Sequence, residues 1–170
     1  MFGRHIRTFT QGFRQRREAI DELNFTYRHL LRMLPNLHRR VGPGPAADVL
    51  AHQYEQDRSI RDRLVQVSMD HGQPPKPCVC ADASALVEDV YHADRAGEDL
   101  DERNRSVVGA LKALRAFLLR VWGRLLRALP EEEEPEYHRA VRDLQREEAE
   151  QHRELVRLGN DLHDPGRRSA

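Results

Sequence analysis

Apolar residues recur in alternating steps of three and four along four long stretches of this 170-residue chain. This spacing places them on one face of an α-helix, so it predicts four long amphipathic helices. Together with a fifth, short helix in the middle of the chain, these are expected over about residues 13–41, 46–71, 82–95, 101–129 and 135–162. Asp82 is the expected N-cap of the short helix. The pattern therefore predicts an all-α protein.

Stretches rich in proline and glycine separate the predicted helices. They read GPGP at 42–45, GQPPKPCVC at 72–80 and LPEEEEPE at 129–136. The first and third are short links that make antiparallel hairpins, whereas the middle connection is long enough to run the length of a bundle. We therefore expect a four-helix bundle with one long crossover that carries the short extra helix. The predicted organisation is an N-terminal arm (1–12), the bundle (13–163) and a C-terminal tail (164–170).

Composition and charge narrow the possible functions. The chain is 39% apolar and 33% charged with no formal net charge, which disfavours general disorder and nucleic-acid binding. No apolar segment suits a secretory signal or a membrane span, so we expect a cytoplasmic protein with Cys78 and Cys80 as free thiols. The acid-free stretch from Ser106 to Pro130 is basic. Its arginines are expected to meet acids of the last helix or of a partner subunit, rather than a membrane or a nucleic acid.

The stretch REEAEQHREL at 146–155 carries the strongest candidate chemistry. Glu148 and His152 are four residues apart and share one face of the last predicted helix. A carboxylate and an imidazole in this relation form half of a two-metal site in a helical bundle. No nucleophile motif or phosphate-binding loop accompanies them, so nothing in the sequence indicates an enzyme.

Three stretches, taken in order, resemble the YciE/YciF-type ferritin-like proteins, a bacterial stress-associated family. They are LLRMLPNLHRRV, DHGQPPKPCVCADASALVEDV and REEAEQHREL. The similarity covers most of residues 18–162. It implies a ferritin-like bundle, usually a homodimer, with a carboxylate and histidine site for iron or manganese.

The chain departs from the ligand pattern that this resemblance implies. The family tends to place a glutamate where this sequence has Tyr27 or Arg28, and its second-helix ligands fall near Gln53 and Gln56. Glutamine is neutral and cannot balance the charge of iron. The third long helix offers no Asp, Glu or His from Ser106 onward. The main hypothesis is therefore that the di-iron site has degenerated.

A buried polar layer is expected to replace the metal. Arg61 and Arg115 are candidates to pair with Asp57 and Glu148, because a buried carboxylate without a partner is costly. The predicted layer consists of Tyr27, Gln53, Asp57, Arg115, Glu148 and Gln151.

The sequence thus predicts a non-enzymatic, structural or stress-associated cytoplasmic homodimer with no cofactor. The alternative is a ferritin-like protein that handles oxidants with a reduced ligand set for iron or manganese. Its ligands would be Asp57, Glu148 and His152.

Overall fold

The computed structural model describes residues 2–95, 97 and 99–163, with side chains from residue 12 onward. Its described part contains five helices and confirms the predicted all-α class. They are α1 (Phe2–Arg40), α2 (Pro45–Asp70), α3 (Ala81–Ala93), α4 (Leu100–Ala128) and α5 (Pro135–His163). The four long helices follow the order α1, α2, α5, α4 around the bundle, and α3 packs on the outside against α4 and α1. The crossover between α2 and α4 is the long one, as predicted.

The helix ends follow from local chemistry, with one correction. Pro45 opens α2, where its missing N–H is not needed. Asp99 caps α4, since its side chain accepts a 2.7 Å hydrogen bond from the Glu102 N–H. The prediction that Asp82 caps α3 is wrong. Cys80 holds that position without a side-chain hydrogen bond, and Asp82 lies in the first turn, where its charge still favours the helix N-terminus.

Helix α1 differs from its predicted form. The helical backbone begins at Phe2, so residues 2–12 of the predicted arm extend the helix. Pro35 lies inside α1, and the helix continues on both sides of it. The predicted tail, 164–170, lies outside the described residues.

The core consists of one apolar cluster to which all five helices contribute. On α2 the buried face is rotated slightly from the predicted one, because Ile60 is buried whereas Arg61 is only partly so. None of the helices in the described part combines the length and apolar character that a membrane-spanning segment needs.

A buried polar layer as the candidate functional site

Polar residues from all four long helices meet inside the bundle. Each of them is at most 1% exposed, although the surrounding core is apolar. They are Tyr27 of α1, Gln53 and Asp57 of α2, Arg115 of α4, and Glu148 and Gln151 of α5. The six residues of the predicted layer are thus buried, and hydrogen bonds connect five of them through their side chains.

The guanidinium of Arg115 lies at the centre of this layer. It forms a bidentate pair with Asp57, with Nη1 donating to Oδ1 and Nη2 to Oδ2, each at 3.0 Å. Nη1 also donates to both carboxylate oxygens of Glu148 at 3.1 Å. Nε and Nη2 donate to Oε1 of Gln53 at 3.0 and 2.9 Å. Each nitrogen of the guanidinium therefore donates to an acceptor on α2 or α5. Arg115 thus spans the bundle from α4 to the diagonally placed α2.

Tyr27 joins α1 to the layer along the other diagonal. Its hydroxyl donates a 2.7 Å hydrogen bond to Oε2 of Glu148 and accepts one of 3.0 Å from Nε1 of Trp122. The two rings are tilted, with centroids 6.5 Å apart. Sequence reasoning missed Trp122 as a member. The signal was available, because a buried indole N–H generally requires an acceptor.

The two glutamines complete the layer on the side of α5. Nε2 of Gln53 donates to the backbone oxygen of Gln151 at 3.2 Å and to Oε2 of Glu154 at 3.4 Å. The Gln151 side chain lies beside Asp57 and opposes the rise that burial causes in the pKa of that carboxyl. Neither of its amide atoms reaches hydrogen-bond geometry with another described residue.

Two carboxylates share one guanidinium, so the fully ionised layer would carry one excess negative charge. Burial raises the pKa of Glu148 to about 7, with Arg115 opposing the shift and Asp57 adding to it. Burial likewise raises the pKa of Asp57 against the pull of Arg115. For Arg115, burial opposes the charge, but Asp57 and Glu148 outweigh it and raise the pKa. The arginine therefore stays charged, and the layer tends to hold a proton on its carboxylates.

The residues present do not fit the metal site that the family resemblance implies. Nη1 of Arg115 contacts Asp57 and Glu148 together, which is where a shared cation would have to be. Throughout residues 2–95, 97 and 99–163, no group of three or more His, Cys, Asp or Glu side chains is arranged to hold a metal ion.

His152, the third ligand of the alternative site, is not hydrogen-bonded to the layer. It is partly exposed and makes no hydrogen bond or ion pair with other described residues. Its pKa is lowered by burial and by the charges of Lys112 and Arg115. Arg61 also differs from expectation. Instead of pairing with Asp57 or Glu148, it contacts Asp62 at 3.4 Å, because Ile60 takes the inward position on α2.

Two solved structures are similar to this fold. The E. coli stress protein YciF aligns with a TM-score of 0.76 and 17% identity, over 86% of this chain and 94% of its own. YcfI, a putative structural protein from Rhodopseudomonas palustris, aligns with a TM-score of 0.73 and 17% identity, over 81% of this chain and 88% of its own. No protein-family model and no curated protein sequence matches the chain. At these identities the likeness confirms the YciF-type resemblance at the level of the fold.

Proposed function

We propose that this protein is a non-enzymatic, stress-associated structural protein in which a buried arginine has replaced the metal centre of a ferritin-like bundle. The observation that carries the proposal is the position of Arg115, whose Nη1 lies 3.0 Å from Asp57 and 3.1 Å from Glu148. A metal ion would neutralise such carboxylates and tie their helices together. The guanidinium ties these helices together and supplies a permanent positive charge that balances one of the two carboxylates.

The burial of the layer also favours a structural role. Asp57, Arg115 and Glu148 are completely buried, so no substrate reaches them without opening the bundle. The names of the two similar structures, a stress protein and a putative structural protein, are in keeping with this role. We include in the proposal a cytoplasmic homodimer, as the family resemblance implies.

Metal analysis of the untagged protein tests the proposal. The protein is purified without chelators, and iron, manganese and zinc are measured per chain before and after anaerobic loading with ferrous iron. We expect well under about one ion per ten chains in both samples, because the guanidinium occupies the cation position. One or two ions per chain, lost in Glu148→Ala and kept in the control Glu147→Ala, would instead establish the oxidant-handling alternative. Glu147 is a suitable control because it is exposed and pairs with Arg63 on the surface.

A second variant tests whether the layer is the former metal position. Arg115→Glu removes the guanidinium and adds a third carboxylate beside Asp57 and Glu148. We expect this variant to take up a divalent ion that the unmodified protein does not bind, provided that circular dichroism shows it to be folded. A folded Arg115→Glu protein that binds no ion after loading would contradict this assignment.

A further inference from the structure

The outer face of α4 carries positive charge that the bundle leaves largely unpaired. Arg124 pairs with Glu22 of α1. Arg120 and Arg127 are exposed and form no ion pair or hydrogen bond with other described residues. Within the described part of the chain, Arg124 thus meets an acid of α1 and not one of the last helix. The alternative, that this face meets acids of a partner subunit, stays a prediction.

These arginines border a cleft of about 580 Å³ on the surface of the bundle. Its floor includes Phe117, over whose ring the Arg120 guanidinium lies at 5.8 Å. Glu22 and Asp82 also line it, so three guanidinium groups face two carboxylates. One of these carboxylates is already committed to Arg124. The cleft therefore keeps a net positive charge and donors that are free to bind a ligand.

A glycine makes room for these donors to converge. A side-chain carbon at Gly123 would lie 3.4 Å from Nη1 of Arg127 and 3.9 Å from Nε2 of Gln145. The guanidinium and the amide thus flank the same small space above the helix. No acceptor pairs with the Gln145 amide within the described part of the chain. These two donors therefore border the same small space, and neither pairs with an acceptor among the described residues.

We propose that this cleft binds a polyphosphate group, with Arg127 and Gln145 contacting one phosphate above Gly123 and Arg120 contacting another. Guanidinium groups bind phosphate oxygens through paired, charge-assisted hydrogen bonds. Arg120 and Arg127 are seven residues apart, which separates their backbones by about 10 Å along the helix. The Arg120 guanidinium lies over Phe117 and Nη1 of Arg127 lies above Gly123, so the two donor groups stay apart along the helix. A ligand with two or three linked phosphates therefore suits them better than a single anion.

Titration calorimetry with inorganic tripolyphosphate tests the proposal, with ATP as a second ligand and sulfate for comparison. We expect tripolyphosphate to bind more tightly than sulfate and to weaken as salt screens the arginines. Arg120→Gln and Arg127→Gln should each weaken it by about tenfold or more, since each removes a charge-assisted hydrogen bond. Glu22→Gln should tighten it, because that variant releases Arg124 from its partner. The control Arg139→Gln, which removes an exposed arginine of α5 that pairs with no other described residue, should leave it unchanged.

Gly123→Ala separates loss of the site from loss of the fold. Alanine favours the helix, so the variant should melt at an equal or higher temperature. Its methyl group nevertheless fills the space between Arg127 and Gln145, and tripolyphosphate binding should be lost. Comparable affinity for tripolyphosphate and ATP would show that the polyphosphate itself is recognised.

Three results would overturn the proposal. They are binding that survives Gly123→Ala, equal binding of sulfate and tripolyphosphate, and no binding of tripolyphosphate at low salt. If tripolyphosphate does not bind at low salt, a concentration-dependent dimer that Arg127→Gln dissociates would identify the cleft as a contact for the acidic residues 131–134 of a second copy.

Discussion

Arg115 is the residue on which the buried layer depends, because it supplies the only positive charge that contacts Asp57 and Glu148 inside the bundle's described part. A buried ion pair contributes little net stability when it is complete, since desolvation offsets the attraction. Removing one partner is different, because the remaining charges stay buried without compensation. The layer is thus a source of structural specificity that makes the fold sensitive to one side chain.

Arg115→Met should lower the free energy of unfolding by about 3 to 5 kcal/mol, the usual cost of breaking a buried pair. Methionine preserves much of the volume but leaves two carboxylates without a cation. Urea unfolding followed by circular dichroism measures the change. The control Arg120→Met alters an exposed arginine without an ion pair and should change stability by about 0.5 kcal/mol or less. Equal effects of the two variants would show that the layer has no special role in stability.

Tyr27→Phe should cost about 1 to 3 kcal/mol, the penalty for leaving buried polar groups unsatisfied. It removes the hydroxyl that links Nε1 of Trp122 to Oε2 of Glu148, so the indole N–H loses its acceptor and Oε2 keeps only its bond from Arg115. Tyr91→Phe is the matched control, because that side chain is 41% exposed. The comparison is made by urea unfolding at one pH, and a loss no larger than that of the control would contradict the role given to Tyr27.

Helical periodicity, the family resemblance and the need to pair buried carboxylates together led to the six layer residues, but periodicity could not choose between neighbouring rows of a helix wheel. Arg61 and Ile60 are adjacent, and the small rotation that buries Ile60 turns Arg61 toward the surface. Only the packing of α2 against α1 and α5 decides that rotation. The pairing of Arg115 with Asp57 likewise depends on how α4 and α2 face each other across the bundle, and no local sequence pattern encodes that arrangement.

At the scale of the elements, strong breakers determined the helix ends that the sequence predicted well. The GPGP link ends α1 and starts α2 within a residue of the predicted positions. The start of α1 was harder to predict, because residues 2–12 contain no proline and the apolar spacing begins later. The cap of α3 was missed for another reason: the backbone leaves the extended form at Cys80, two residues before the favourable side chain of Asp82.

Gly109 and Gly42 should respond in opposite ways to substitution by alanine, because their backbone conformations differ. Gly109 lies inside α4, and a side-chain carbon there meets no atom within 4 Å. Gly109→Ala should therefore raise the free energy of unfolding by about 1 kcal/mol, the helix propensity difference. Gly42, between α1 and α2, has φ of +71° and lies close to Leu100. Gly42→Ala should lower stability by about 1 kcal/mol or more.

Thermal melts of the two glycine variants check this prediction directly. A shift in the same direction for both contradicts it. A rise for both would mean that the hairpin link between α1 and α2 is not held in its left-handed conformation, and a fall for both would mean that Gly109 has a role other than helix propensity.

At the scale of the whole molecule, the layer connects both diagonals of the bundle. Arg115 joins α4 to α2, and Tyr27 joins α1 to Glu148 of α5. A change in charge at Glu148 therefore alters hydrogen bonds that connect all four long helices. This makes the pH dependence of global stability the property that reports on the layer most directly.

Stability should fall as pH rises from about 4.5 to 7, the reverse of ordinary acid denaturation. The pKa of Glu148 is raised from 4.5 to about 7 in the folded protein, mainly by burial. Below that window the carboxyl is protonated in both states. Within it the folded state binds more protons, so each increase in pH favours unfolding, and above it the effect levels off. The difference corresponds to about 3 kcal/mol across the window, and the raised pKa of Asp57 acts with the same sign.

Glu148→Gln isolates this contribution, because glutamine keeps the shape of the side chain but does not titrate. The free energy of urea unfolding is measured for both proteins at several pH values between 5 and 8. We expect the unmodified protein to lose stability relative to Glu148→Gln as pH rises, whereas Glu147→Gln on the exposed face should follow the unmodified protein. Parallel curves for the unmodified protein and Glu148→Gln would mean that Glu148 is ionised throughout. Arg115 would then neutralise both carboxylates more completely than their burial implies, and the layer would hold no proton near neutral pH.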